Sequence, residues 1–140
     1  MKTNLSTIGL CIATGFAIAA VIEIGISSKE TTVDAVVAIN NATELNNFIK
    51  KNKKSVTEFY APWCGFCKGM ESSYREMAQK NSGVKFAKVD CTTDGGKKLA
   101  QDYKIGGFPT FAIFKDGKHT DTVVGANKPE LEKKVKLIAA

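Results

Sequence analysis

The sequence predicts an α/β domain with a central mixed β-sheet covered by helices on both faces. Two observations carry this. From residue 34 onward, short runs of β-branched and aromatic residues alternate with segments of helical periodicity. The last two strand-like runs are joined by Asp116-Gly117, a hairpin turn signal. Strands linked through helices run parallel and need cover on both sides, whereas a closing hairpin adds an antiparallel edge.

The elements follow in the order β α β α β α β β α. Val36, Val37, Ala38 and Ile39 form a short apolar run and read as the first strand. Asn41 precedes Glu44 by three residues, the spacing of a capping box, and Leu45, Phe48 and Ile49 then recur at helical intervals. Residues 55–61 (SVTEFYA) read as the second strand. Residues 64–81 read as a longer helix with Met70, Tyr74, Met77 and Ala78 on one face. Residues 84–90 form a third strand, and 97–103 a short helix that turns Leu99 and Tyr103 inward. Residues 110–114 (TFAIF) are a continuous apolar strand, and 120–124 pair back against it. Asn127, Pro129 and Glu130 open the last helix, since Pro is tolerated in a first turn. Its apolar stripe is Leu131, Val135 and Ile138.

A chain of 140 residues suits one domain, and 44% hydrophobic with 24% charged residues is an ordinary globular mixture. The net charge of +6 comes almost entirely from Lys, with Arg75 the only arginine. The run Lys50-Lys51-Asn52-Lys53-Lys54 reads as a solvated helix end, where cations are favoured. No aromatic residues interleave with it to stack on bases, so nucleic acid is not an expected partner.

Residues 3–22 carry no charge, and Lys2 and the amino terminus precede them. This asymmetry favours a cytoplasmic N-terminus and delivery of the rest outside. Residues 1–26 read as a cleaved signal peptide, with small-residue sites around Ala17, Ala19 and Ala20, or as a retained membrane anchor. A buried helix of a cytosolic protein is a third alternative. The expected domain division is thus leader 1–26, polar linker 27–33 and folded domain 34–140, with the domain exported.

Four cysteines, Cys11, Cys64, Cys67 and Cys91, are too few for a disulfide-stapled scaffold. Cys11 lies in the leader, which leaves one close pair and one single. The pair stands in Trp63-Cys64-Gly65-Phe66-Cys67-Lys68, where a strand ends and a helix begins. The unpaired N–H groups and positive dipole end of a first helical turn stabilise a thiolate, so its pKa falls. A separation of three places the second sulfur one turn on. One thiol attacks a substrate disulfide and the other resolves the mixed disulfide. Zinc is the competing reading, but it needs four ligands, and only Cys91 and His119 are on offer. No metal site is expected.

Several segments together carry a resemblance. FYAPWCGFCK resembles the active-site strand and helix start of the thioredoxin superfamily. KVDCTTD resembles the third strand of a protein disulfide isomerase catalytic domain. GGFPTFAIFKDGK and the VVGA before the last helix resemble the family's closing half. The similarity spans about residues 34–140 and implies a thioredoxin-like fold. It implies that Cys64 is the nucleophile and Cys67 the resolving cysteine. Pro109, after Phe108, matches the cis-proline facing the dithiol, where backbone can pair with an extended substrate. Trp63, Gly65, Phe66, Phe108 and Pro109 are the implied substrate-binding residues. Gly106, Gly107 and Gly125 sit where close backbone approach is expected, with turn geometry as the alternative.

Glu58 matches the family's buried acid, and Lys88 the lysine beside it. A buried carboxylate has a raised pKa and accepts a proton near neutrality, here from Cys67. The alternative for Glu58 is an exposed strand residue. Two features depart from the family. Phe66 stands where reducing thioredoxins carry Pro and disulfide isomerases His, which leaves the direction of electron flow open. Ser72 occupies a position where many relatives carry a helix-kinking Pro. Cys91, common in disulfide isomerase domains, reads as buried and inert, and His119 as solvated.

The resulting expectation is a monomeric thiol–disulfide oxidoreductase acting on protein thiols and disulfides and recharged by an upstream redox partner. No cofactor is expected, because the two sulfurs carry the electrons. The membrane is a second partner if residues 3–22 remain. The alternative function is a thioredoxin-fold binding or assembly module whose dithiol is incidental.

Overall fold

A computed structural model of the protein describes residues 34–140. The leader expected at 1–26, the linker at 27–33 and Cys11 lie outside the described residues. The observed elements are β1 (Val36–Ile39), α1 (Ala42–Lys51), β2 (Lys54–Tyr60), α2 (Gly65–Lys80), β3 (Lys85–Asp90), α3 (Asp94–Asp102), β4 (Thr110–Lys115), β5 (Lys118–Val124) and α4 (Lys128–Ala139). The expected order holds throughout.

The sheet order is β1-β3-β2-β4-β5. β1 and β2 both pair with β3 in parallel, while β4 runs antiparallel to β2 and β5 to β4. β2 is therefore the central strand, and its C-terminal end carries the cysteine pair. The pleat divides the interior into two cores. Val56, Phe86, Phe111 and Ile113 meet Met70 and Tyr74 of α2 and Leu131 and Val135 of α4. Their neighbours Phe59, Ala87, Val89, Ala112 and Phe114 face Leu45 and Ile49 of α1 and Leu99 of α3. Helices thus cover both faces because alternate strand residues are apolar on both.

Local chemistry explains the ends of the elements. Asn41 Oδ1 accepts the Glu44 N–H at 3.0 Å, and the Glu44 carboxylate accepts the Asn40 N–H at 2.8 Å. The expected capping box is present, with the glutamate reaching one residue further back. Asp116 and Gly117 both have positive φ, 52° and 76°, the backbone a tight hairpin between right-twisted strands requires. Asn127 Oδ1 caps α4 by accepting the Glu130 N–H at 3.2 Å.

Three expectations need correction. α3 starts at Asp94, not at 97, because Thr93 caps it by accepting the Gly96 N–H at 3.1 Å. The Gly95-Gly96 pair reads locally as a helix breaker, yet tertiary packing overrides that weak preference. A Cβ on Gly95 would drive into the Asn40 carbonyl oxygen, and one on Gly96 into that of Asp90. Second, these two glycines, rather than Gly106 and Gly107, make the close approaches; a Cβ on either of the latter meets nothing within 4 Å. Gly125 serves turn geometry, with φ of 81°. Third, β5 begins at Lys118 rather than 120, after a register irregularity near Ile113 and Phe114.

The buried Tyr74 hydroxyl lies 2.7 Å from the Ala87 carbonyl oxygen and 3.1 Å from that of Val56, so α2 is pinned across β2 and β3. Among the described residues no helix is long and apolar enough to cross a membrane.

Candidate active site

β2 ends at Tyr60, and the chain turns through Ala61, Pro62 and Trp63 before α2 begins. The Cys64 N–H closes this turn on the Ala61 carbonyl at 3.0 Å. Cys64 is the N-cap of α2, and its Sγ accepts the Cys67 N–H at 3.2 Å. A sulfur here takes one of the orphan N–H groups of the first turn and faces the positive end of the helix dipole. The sulfurs of Cys64 and Cys67 are joined as a disulfide, with Cα atoms 5.3 Å apart. Both cysteines are buried, at 6% and 5% exposure.

The surroundings are apolar. Cys64 and Cys67 pack with Ala61, Tyr60 and Phe108. Phe108 precedes Pro109 through a cis peptide bond. Trp63 meets the Phe108 ring edge-on, with centroids 6.1 Å apart. Trp63 and Phe66 stand out into solvent at 72% and 74% exposure, and Gly65 between them is also exposed. The Pro109 carbonyl is used within the chain, accepting the Gly125 N–H at 2.8 Å. The residues expected to meet substrate thus gather around the disulfide, as two segments distant in sequence converge there.

Below the disulfide, between α2 and the sheet, lies a cleft of about 180 Å³ whose lining includes Glu58, Cys67, Lys88, Glu71 and Arg75. Glu58 is 5% exposed, so the exposed-strand alternative does not hold. Burial pushes its carboxyl up to about 7, against the pull of Lys88 and with a smaller push from Glu71. Lys88 is the register partner of Glu58 on β3, and its ammonium lies 5.9 Å from the Tyr60 ring centroid. A carboxyl raised toward neutrality and Cys67 line one cleft.

Two residues of this cleft were missed in the sequence. Glu71 and Arg75 follow Cys67 by four and eight positions, and helical spacing alone puts them on one face. They lie outside the recognisable motif, and no local signal ties them to the site. Arg75 reaches Glu71 at 3.4 Å and Asp34 at 3.6 Å. α2 runs unbroken through Ser72.

Cys91 is free and buried in the opposite core. Its Sγ lies 3.7 Å from the Val89 carbonyl oxygen, and burial pushes the thiol up to about 11. His119 is exposed, as expected, though its ring also packs on Phe114 and Tyr103. Among the described residues no group of three or more His, Cys, Asp or Glu is placed to hold a metal ion.

Residues 35–137 match the thioredoxin family model. The chain belongs to the thioredoxin family. It is 36% identical over 107 residues to mitochondrial thioredoxin-3 of Saccharomyces cerevisiae, covering 76% of this chain and 83% of that protein. The oxidised crystal structure of that yeast thioredoxin matches with a TM-score of 0.69 and 37% identity, over 73% of this chain and 94% of the other. Protein disulfide-isomerase of Drosophila melanogaster is 36% identical over 95 residues, 65% of this chain but only 19% of that longer protein. The chain is a thioredoxin-type disulfide oxidoreductase with a close dithiol pair at Cys64 and Cys67.

Proposed function

We propose that this thioredoxin exchanges disulfides with other proteins through Cys64-Gly65-Phe66-Cys67. The observation that carries the reading is the Cys64–Cys67 disulfide at the N-cap of α2, above a cleft that holds Glu58. In the reducing direction, the Cys64 thiolate attacks a substrate disulfide. A bond forms between Cys64 and one substrate sulfur, and the other substrate sulfur leaves as a thiolate. The Cys67 S–H bond then breaks, its proton passing to the Glu58 carboxylate. The freed electron pair forms the Cys64–Cys67 bond and expels the second substrate sulfur. The substrate disulfide is reduced by two electrons as the dithiol is oxidised. The reverse sequence oxidises a substrate dithiol.

Lys88 limits the cost of a charged Glu58 in the cleft. Trp63, Phe66 and Phe108 offer an apolar platform to the residues around a substrate cysteine, and the backbone at Gly65 and Pro109 bounds it. Phe66, between the two cysteines, adds exposed ring area and no charge. Residues 1–26 direct the domain out of the cytoplasm, as a signal peptide or an anchor, and a separate redox partner then recharges the dithiol. The uncharged stretch 3–22 behind Lys2 supports this. Fusing residues 1–33 to a reporter active only outside the cytoplasm checks it; an inactive reporter refutes export.

The catalytic reading is tested by insulin reduction together with a trapping experiment. Wild type should reduce insulin, Cys64→Ser should not, and Cys67→Ser should accumulate a mixed disulfide through Cys64. Equal activity in wild type and Cys64→Ser would leave a binding or assembly module as the function.

A further inference from the structure

The cleft beneath the dithiol holds a second carboxylate. Glu71 lies one helical turn beyond Cys67 on α2 and lines the same space as Glu58 and Cys67. One turn further, Arg75 also lines it, and its guanidinium is shared: 3.4 Å to Glu71 and 3.6 Å to Asp34, just before β1. Arg75 is the only arginine in the chain. We propose that Glu71, held by Arg75 and in competition with Asp34 for it, is a positioning residue that sets the pH range in which Glu58 serves the dithiol. This rests on the proton transfer from Cys67 to Glu58 described above.

The electrostatic inventory around Glu58 supports the assignment. From β3 it faces Lys88, from its own strand Tyr60, and from α2 Lys68, Tyr74, Glu71 and Arg75 beside Cys67 itself. β1 and β4 contribute Val36 and Phe111, which carry no charge. Among the described residues, Glu71 is thus the one other carboxylate lining the cleft. Its negative charge opposes ionisation of Glu58, in line with its upward push on that carboxyl. Arg75 offsets Glu71 in proportion to how closely it holds it, and Asp34 draws part of that cation away. Both Glu71 and Arg75 are about half exposed, which keeps the effect moderate and sensitive to salt.

The direction of each effect follows. Glu71→Gln removes the repulsion, so Glu58 ionises at lower pH. Arg75→Gln removes the cation that holds Glu71, so Glu58 ionises at higher pH. With Glu71 already replaced, Arg75 has little left to act through.

The experiment is the pH profile of mixed-disulfide resolution, measured by single-turnover kinetics on the full chain at low salt. The rate of this step should rise with a midpoint near that of Glu58. Glu71→Gln should move the midpoint down by about half a pH unit, and Arg75→Gln should move it up by a similar amount. Glu71→Asp should stay near wild type, and the Arg75→Gln shift should shrink at least twofold in the Glu71→Gln background. Unmoved midpoints in both single variants would overturn the proposal while leaving the dithiol mechanism intact. Equal, additive shifts in the two backgrounds would also overturn it, because Arg75 would then act independently of Glu71. A wild type with no resolution step at all would instead refute the mechanism on which the proposal rests.

Discussion

Cys64 and Cys67 on one side and Cys91 on the other are hidden from solvent to nearly the same degree, yet their settings are opposite. The pair sits where a helix begins, with a backbone N–H on the first sulfur and a cleft beneath the second. Cys91 sits at the end of β3, against the core between the sheet and α1 and α3, and its thiol is pushed up to about 11 by that burial. Burial therefore does not sort these sulfurs into reactive and inert. The difference lies in what replaces water: oriented N–H groups stabilise a thiolate, whereas apolar side chains do not.

The largest expected effect sharpens that contrast directly. Cys64→Ser should abolish disulfide exchange, whereas Cys91→Ala should keep activity within about twofold and cost about 1 kcal/mol of stability for a small lost volume. A turnover assay and a urea melt measure the two. A large activity loss in Cys91→Ala would mean that the second core contributes to the chemistry.

Next comes the buried acid that distinguishes the two faces of the sheet. Glu58→Gln should slow mixed-disulfide resolution by about 100-fold at pH 8 without slowing the first attack, since an amide cannot accept the proton. An unchanged resolution step would reduce Glu58 to a structural role. The same substitution should change stability in a pH-dependent way. The folded-state pKa of Glu58 is raised from 4.5 to about 7, so its favourable contribution is complete below about pH 4.5 and is lost as pH rises through 7. Above pH 7, wild type buries a charge at a cost of about 3 kcal/mol, which Glu58→Gln removes. Chemical melts at pH 4 and pH 8 should show the variant level with wild type at the first and more stable at the second. Equal stability at both would show that the cleft solvates the carboxylate fully.

The smallest effect concerns labelling of the reduced protein. Alkylation near pH 6 should modify Cys64 first, Cys67 slowly, and Cys91 only after unfolding. Early labelling of Cys91 would break the comparison at its root.

Much of this was legible beforehand. The order of nine elements follows from hydrophobic periodicity and from Asn41, Asp116-Gly117 and Asn127, whose effects are confined to a few neighbouring residues. The Cys-x-x-Cys pair at a strand-to-helix junction was legible for the same reason. The start of α3 at Asp94 was not, because the role of Gly95 and Gly96 is a backbone approach to Asn40 and Asp90 that no local signal announces. Glu71 and Arg75 were passed over because on their own helix they form an ordinary i, i+4 surface pair.

The chain's own residues dictated the helix that begins at Cys64, the hairpin and the two apolar faces of the sheet. These are short-range matters of capping, turn geometry and side-chain alternation. Only the folded arrangement decided that Glu58 is buried rather than exposed, that Lys88 stands beside it, that Glu71 and Arg75 line the same cleft, and that Asp34 reaches Arg75. The proton affinity of a carboxyl depends on every charge and every missing water around it. Those neighbours come from β3, from α2 and from the residue before β1, and they are brought together by the sheet order, not by position along the chain.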